Sequence, residues 1–183
     1  MFPRSLRTRI KRFAQDTDGL VTVEFAMMMP ILFFAYCASF VFFDAYRQSA
    51  TNLKTAYTIG DLISRETAAI NNAYIDSMYS LTQDLARSNS PMSLRISVIR
   101  WDAGDDRYYL DWSSARGGIT QLTDNTLSAF NERLPTMPDQ ERVILVETWN
   151  TWTPPFNVGM EVTSIDNFVF TRPRFAPQLA WRS

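Results

Sequence analysis

LVTVEFAMMMPILFFAYCASFVFF, running from Leu20 to Phe43, is a stretch of 24 residues that carries one charge, Glu24. Wound as an α-helix it spans roughly 36 Å at 1.5 Å per residue, enough to cross a hydrocarbon core of ~30 Å. Immediately upstream stand Arg4, Arg7, Arg9, Lys11 and Arg12, opposed by Asp16 and Asp18, whereas the near downstream flank offers only Arg47 and Lys54 against Asp44. Basic flanks stay on the cytoplasmic side, so residues 1–19 are expected to be a cytoplasmic leader and everything beyond Asp44 to be exported. The run is longer than the apolar core of a secretory signal and ends in bulky Phe40-Val41-Phe42-Phe43 rather than a small-x-small cleavage site. Tyr36 stands where a lipoprotein signal would place a small residue before Cys37.

Glu24 is the anomaly in this run. A carboxylate at the centre of a bilayer costs about 2.5–3.5 kcal/mol on insertion scales, and less near an interface. Glu24 sits only ~6 Å along the helix from Leu20, close to the favourable positive end of the helix dipole. An uncleaved anchor would carry it as a tolerated interfacial glutamate. A cut after Gly19 would give it a purpose: Leu20 would become an N-terminus bearing an ammonium group, at the i, i+4 spacing that brings two groups onto one helical face. The carboxylate could then neutralise that amine or one on a neighbouring subunit. Glycine before the cut lets the backbone extend into a protease cleft without a side chain in the way.

Gly19 followed by Leu20-Val21-Thr22-Val23-Glu24-Phe25 resembles the processing motif of type IV prepilins. With Phe13, Asp16 and Pro30, and with an aromatic residue directly after the glutamate, the segment from about Phe13 to Arg65 looks more specifically like the TadE-like minor pseudopilins of bacterial tight-adherence (Flp) pilus systems. Arg142–Thr153 and the tripeptide Arg172-Pro173-Arg174 are a weaker echo of that family's C-terminal pattern. Phe25 departs from the tyrosine usual in the major subunits, and the downstream domain is far larger than that of a major Flp pilin. The resemblance implies cleavage between Gly19 and Leu20 by a membrane-embedded prepilin peptidase, with Glu24 and Phe25 acting in assembly. It also implies association with other pilin and pseudopilin subunits and the pilus assembly platform. The location implied is the bacterial inner membrane, with a periplasmic or extracellular C-terminal domain, and the pilus once assembled.

Composition narrows the function classes. The 183 residues contain no histidine and one cysteine. That removes the usual histidine-activated nucleophiles, histidine general bases, the commonest transition-metal ligand and any intramolecular disulfide. No catalytic residues, cofactor or metal site are expected. Past residue 19 the chain holds 13 basic and 17 acidic residues, so no basic stripe argues for nucleic acid. Aromatic residues such as Trp101, Trp112, Trp149 and Phe168 are plentiful enough to build a core.

Beyond the apolar run the helix is expected to continue, with Tyr46, Ala50, Leu53, Tyr57 and Gly60 recurring at helical spacing as its apolar face. Pro30 cannot donate to the carbonyl of Ala26 and is a candidate kink. A second helix is predicted to begin near Asn71 or Asn72 and to close before Pro91. Leu94–Val98 alternates as a strand, Asp102–Asp106 supplies turn chemistry, and Arg107–Trp112 reads as the hairpin partner, ended by Gly117-Gly118. Thr123 or Asp124 is placed to cap a short helix with Leu127, Phe130 and Leu134 inward. Arg142–Trp149, the strongest strand, has an unbroken apolar centre that predicts a central position, and Phe168–Thr171 is the last strand. Asp102, Asp105 and Asp106 lack the spacing of a calcium loop, so the turn reading is preferred. Trp149 and Trp152 would face opposite sides of a strand, which suits core packing better than a shared aromatic platform.

The fold expected is α+β, pilin-like: a long N-terminal transmembrane helix continuing into an exported domain with a small antiparallel sheet packed on helices. Its segments are a leader at 1–19, a transmembrane helix at 20–43, a helical extension at 44–90 and an α+β head at 91–183. The functional expectation is a cleaved minor pseudopilin that takes part in assembly of an adhesive Flp pilus. An uncleaved single-pass scaffold of an envelope machine is the alternative, and a tethered hydrolase, lacking any evident nucleophile and base, is the weakest.

Overall fold

A computed structural model describes residues 8, 9, 11–13 and 20–182, with only the backbone of Leu20. The architecture is α+β: one long apolar N-terminal helix and a four-stranded antiparallel sheet. The first helix, α1, runs unbroken from Leu20 to Ser64 over 45 residues with Pro30 inside it. The 20–43 stretch and the first part of the 44–90 extension are therefore one element. Two compact units follow from the contacts: Met1–Phe43 with Pro155–Gly159, and Asp44–Pro154 with Met160–Ser183. The expected segments 44–90 and 91–183 thus lie almost entirely within a single unit.

In the larger unit, α2 (Asn72–Ala86) begins within the expected Asn71–Asn72 start and is capped by Asn71, whose carboxamide oxygen accepts the Tyr74 N–H at 2.9 Å. It ends at Arg87, whose left-handed backbone (φ 47°) lets its N–H close on the Gln83 carbonyl. The strands are β1 (Ser93–Asp102), β2 (Arg107–Arg116), β3 (Arg142–Trp152) and β4 (Thr163–Thr171), in the order β2-β1-β3-β4. β3 is interior, as its apolar centre predicts. Asp102 builds the β1–β2 turn by accepting the N–H groups of Gly104 and Asp105 at 3.0 and 3.3 Å. A hydrogen bond from Gln140, with those two, holds its carboxyl below the usual carboxylate range. A short helix α3 (Asp124–Leu127) and a 3-10 turn (Ser128–Phe130) connect β2 to β3, with the Thr126 hydroxyl accepting the Thr123 N–H at 3.0 Å.

Both faces of the sheet are covered. On one, Leu94, Ile96, Val98, Ile144, Val146 and Val169 meet Ala56, Ile59 and Ile63 of α1 and Ile75 of α2. On the other, Ile99, Val143 and Leu145 meet Leu122, Leu127, Leu134 and Met137. The face of α1 that packs here differs from the one expected. Asn52, Thr55, Ala56, Ile59 and Ile63 are buried, whereas Tyr46, Leu53 and Tyr57 are 76, 41 and 58 % exposed. Of the expected stripe only Gly60 is fully covered. Two polar residues, Asn52 and Thr55, disguised the inner face. The Asn52 carboxamide oxygen accepts from Gln48 at 2.8 Å and the Thr55 hydroxyl donates to the Thr51 carbonyl at 2.9 Å, whereas the buried Asn52 amide nitrogen has no partner among the described residues.

The chain's last segment returns across α1 and the sheet. The Arg174 N–H donates to the Ser64 carbonyl at 2.8 Å, satisfying one of the orphan acceptors at the end of α1. The Ile70 N–H donates to the Ala180 carbonyl at 2.8 Å and the Ile70 carbonyl accepts from Arg182 at 2.7 Å. Leu179 is buried, its carbonyl accepting the Trp112 indole N–H at 2.7 Å, and the Trp181 ring lies 5.1 Å from that of Trp112. Arg172 pairs with Glu141 at 2.9 Å and Arg174 with Asp61 at 3.0 Å, so the Arg-Pro-Arg tripeptide ties the tail to the entry of β3 and the last turn of α1.

Candidate functional site

Of the residues singled out for processing and assembly, Gly19 lies outside the described residues. Leu20 is the first residue of α1, and Glu24, Phe25 and Pro30 follow within the same helix. Glu24 is exposed on the second turn, one helical repeat beyond Leu20, and Phe25 beside it is exposed too. Pro30 sits mid-run without ending the helix.

The setting of these residues is distinctive. Every residue from Val21 to Tyr36 is exposed, on all sides of the helix, although the run is built of Val, Met, Phe, Ile and Leu. The core helix of a globular protein buries at least one such stripe against its own chain. Here the surface is left bare by the other described residues, and the helix is long and apolar enough to cross a membrane. Further along α1, Tyr46, Leu53 and Tyr57, with half-buried Ala50 between them, form an outward row at alternating steps of four and three residues. That spacing is the one by which two helices interlock side by side. The row was visible in the periodicity; its outward direction was not, because periodicity alone does not tell which apolar stripe the sheet takes.

The smaller unit contains a second feature. Phe156, in the connection between β3 and β4, is 51 % exposed, and its ring stands 6.0 Å from that of Phe40 on α1. A loop was expected at Thr153–Phe156; its contact with the apolar run was not. The available signal was the absence of any charge from Thr153 to Met160.

The tryptophans form no common platform. Trp152 is buried with its indole N–H donating to Asp44 at 3.0 Å, Trp112 is buried against Trp181, and Trp101 packs on Tyr108 at 4.6 Å. Trp149 lies on the opposite face of β3 beneath the Arg95 guanidinium, 5.0 Å from the ring centre. Arg95 is held there by a two-pronged ion pair to Glu147 at 2.7 and 2.9 Å, with side chains only 13 and 4 % exposed. Cross-strand neighbours in the β1–β3 register, these two residues form a buried structural pair. Among the described residues no three His, Cys, Asp or Glu side chains gather as they would around a metal ion.

The observations define an α+β protein with one helix able to cross a membrane near its N-terminus. No family model, curated protein or solved structure matches the chain.

Proposed function

We propose that this chain is a minor pseudopilin: cleaved between Gly19 and Leu20 by a prepilin peptidase, inserted once in the bacterial inner membrane, and used in assembling a tight-adherence pilus that supports adhesion. The observation that carries the reading is the bare apolar surface of α1 from Val21 to Tyr36, continued without a break by a helix with an outward Tyr46–Leu53–Tyr57 row. Lipid can cover the first part, and helices of other pilin or pseudopilin subunits can cover both. The basic flank at 4–12 favours a cytoplasmic N-terminus and an exported sheet domain. Glu24 then pairs with the amine that cleavage creates at Leu20, its own or a neighbour's, removing two charges from the apolar environment at once. The head contributes binding surface for the assembly platform, and no catalysis, cofactor or nucleic acid is assigned to it.

N-terminal sequencing of the membrane-bound protein, from cells with a working peptidase, tests the reading. A mature chain that starts at Leu20 is the expected result. A chain that retains residues 2–19 would instead make it an uncleaved scaffold. Glu24→Ala should still be processed yet leave cells without pili, as seen by electron microscopy and surface-attachment assays. Normal piliation in that strain would remove the amine-pairing role.

A further inference from the structure

We propose that the Pro155–Gly159 loop is a second membrane-contacting element, in which Phe156 seats in the boundary between lipid headgroups and acyl chains beside α1. The inference rests on the reading of α1 as membrane-spanning and adds a contact that reading does not require. Three observations converge on it. Phe156 packs on Phe40, with ring centres 6.0 Å apart. Phe40 lies within the apolar run, four residues before Asp44, the first charge after it. At 1.5 Å per residue Phe40 is thus about 6 Å inside that charge, and side chains in contact share nearly the same depth. Interfacial segments place their apolar groups about 5–10 Å into the headgroup and acyl boundary, which is the depth this contact gives Phe156.

Second, the connection reads TPPFNVGM from Thr153 to Met160, without a charge to be dehydrated, and Pro154 and Pro155 have no N–H to leave unpaired. Irregular backbone cannot face the hydrocarbon interior, where unpaired N–H and carbonyl groups go unsatisfied, so the loop stops at the boundary. Third, Phe156 keeps half its surface open even with Phe40 beside it, and Pro155 and Asn157 flanking it are exposed as well. An aromatic ring at a bilayer boundary transfers favourably, whereas the same ring in water gains nothing from its exposure. The ligand class is the phospholipid acyl chain near its ester linkage.

The test uses the full chain in a Cys37→Ser background, reconstituted at high dilution in phospholipid vesicles. A polarity-sensitive fluorophore is placed at one of three positions: Asn157→Cys, which leaves Phe156 in place; Phe33→Cys, in the middle of the apolar run; or Ser128→Cys, exposed in the 3-10 turn. The vesicle lipids carry a nitroxide quencher near the top of the acyl chain for N157C and S128C, and near its methyl end for F33C. The expected result is a blue shift and loss of most of the emission for the N157C probe, little loss for S128C, and recovery of emission when Phe156→Ser is added to N157C. If F33C is quenched but N157C behaves as S128C does, the loop contact is overturned and the spanning helix stands. If F33C is itself unquenched, both are overturned. Shielding of the N157C probe only when protein is concentrated in the vesicles would make a second copy of the chain the occupant, which also overturns the lipid contact. Quenching unchanged by Phe156→Ser would overturn the role given to that ring.

Discussion

Arg95 and Glu147 show how one residue pair can hold two strands in register. Each is ordinarily a surface residue, yet they oppose one another on neighbouring strands and bury their charges together. Removing one partner strands the other charge in a low-dielectric setting, at about 3–5 kcal/mol, whereas replacing both with apolar residues of similar size avoids that penalty. Glu147→Ala should therefore destabilise the chain by about 3–5 kcal/mol in urea unfolding monitored by tryptophan fluorescence, and Arg95→Met with Glu147→Leu should restore most of the loss. At Gly117, φ is +84°, and an added Cβ would stand 2.7 Å from the Ser93 Cα and 2.8 Å from the Met92 carbonyl oxygen. The left-handed backbone alone costs a side chain about 1–2 kcal/mol, and here a strand must also move aside. Gly117→Ala is expected to lower the unfolding midpoint by the equivalent of more than about 2 kcal/mol, measured by the same assay. The sequence showed the glycine pair as a strand end; the close approach of Ser93 that makes glycine obligatory at one of the two belongs to the pairing of β1 with β2.

Among the elements, α1 combines two surfaces that the sequence presents as one. Its inner face of Ala56, Ile59, Gly60 and Ile63 packs on the sheet, and its outer row of Tyr46, Leu53 and Tyr57 remains uncovered. Substitution in an exposed row changes stability by no more than about 0.5 kcal/mol, while a charge placed in a helix–helix seam leaves an unpaired group where water is excluded. Leu53→Glu should thus leave the thermal melt of the purified chain within that margin and sharply reduce its co-isolation with crosslinked pilin subunits. A melt shifted far beyond the margin would place Leu53 in the core after all, and undiminished co-isolation would deny the row an assembly role. β2 carries its own lesson. Val98 pairs with Trp112 but Ile99 with Leu110, so Asp111 is an extra residue, a bulge. Trp112 therefore joins the core on the helix side, while Leu110 and Tyr108 turn to the other face. Strict alternation along the strand would have put all three on one side.

For the larger unit as a whole, the returning tail decides how much of the fold is held together. Leu179 lies among core residues from α1, α2 and the sheet, its own carbonyl accepts from Trp112, and the backbone of Ala180 and Arg182 just after it pairs with Ile70. Leu179→Ala removes a fully buried side chain, at about 2–5 kcal/mol, from a position where the surrounding elements are held by other contacts and cannot readily collapse inward. Calorimetry should show a lowered melting temperature with a single transition; two separated transitions would mean that the tail is not part of the cooperative unit.

What the sequence determined alone is whatever local chemistry enforces: an apolar helix of bilayer length after a basic flank, a second helix starting near Asn71 or Asn72, the Asp102 turn, and an interior β3 marked by its unbroken apolar centre. Each of these is decided within a few residues, by propensity, capping or hydration. The tertiary structure decided what depends on distant partners. It chose the Ile59–Ile63 face of α1 over the Tyr46–Tyr57 row, because the sheet accepts the smaller stripe. It set the bulge at Asp111, gave Arg172 and Arg174 their carboxylate partners, and brought Phe156 beside Phe40. None of these could be read from spacing, since a residue's neighbours across the fold are fixed only once the chain has closed on itself.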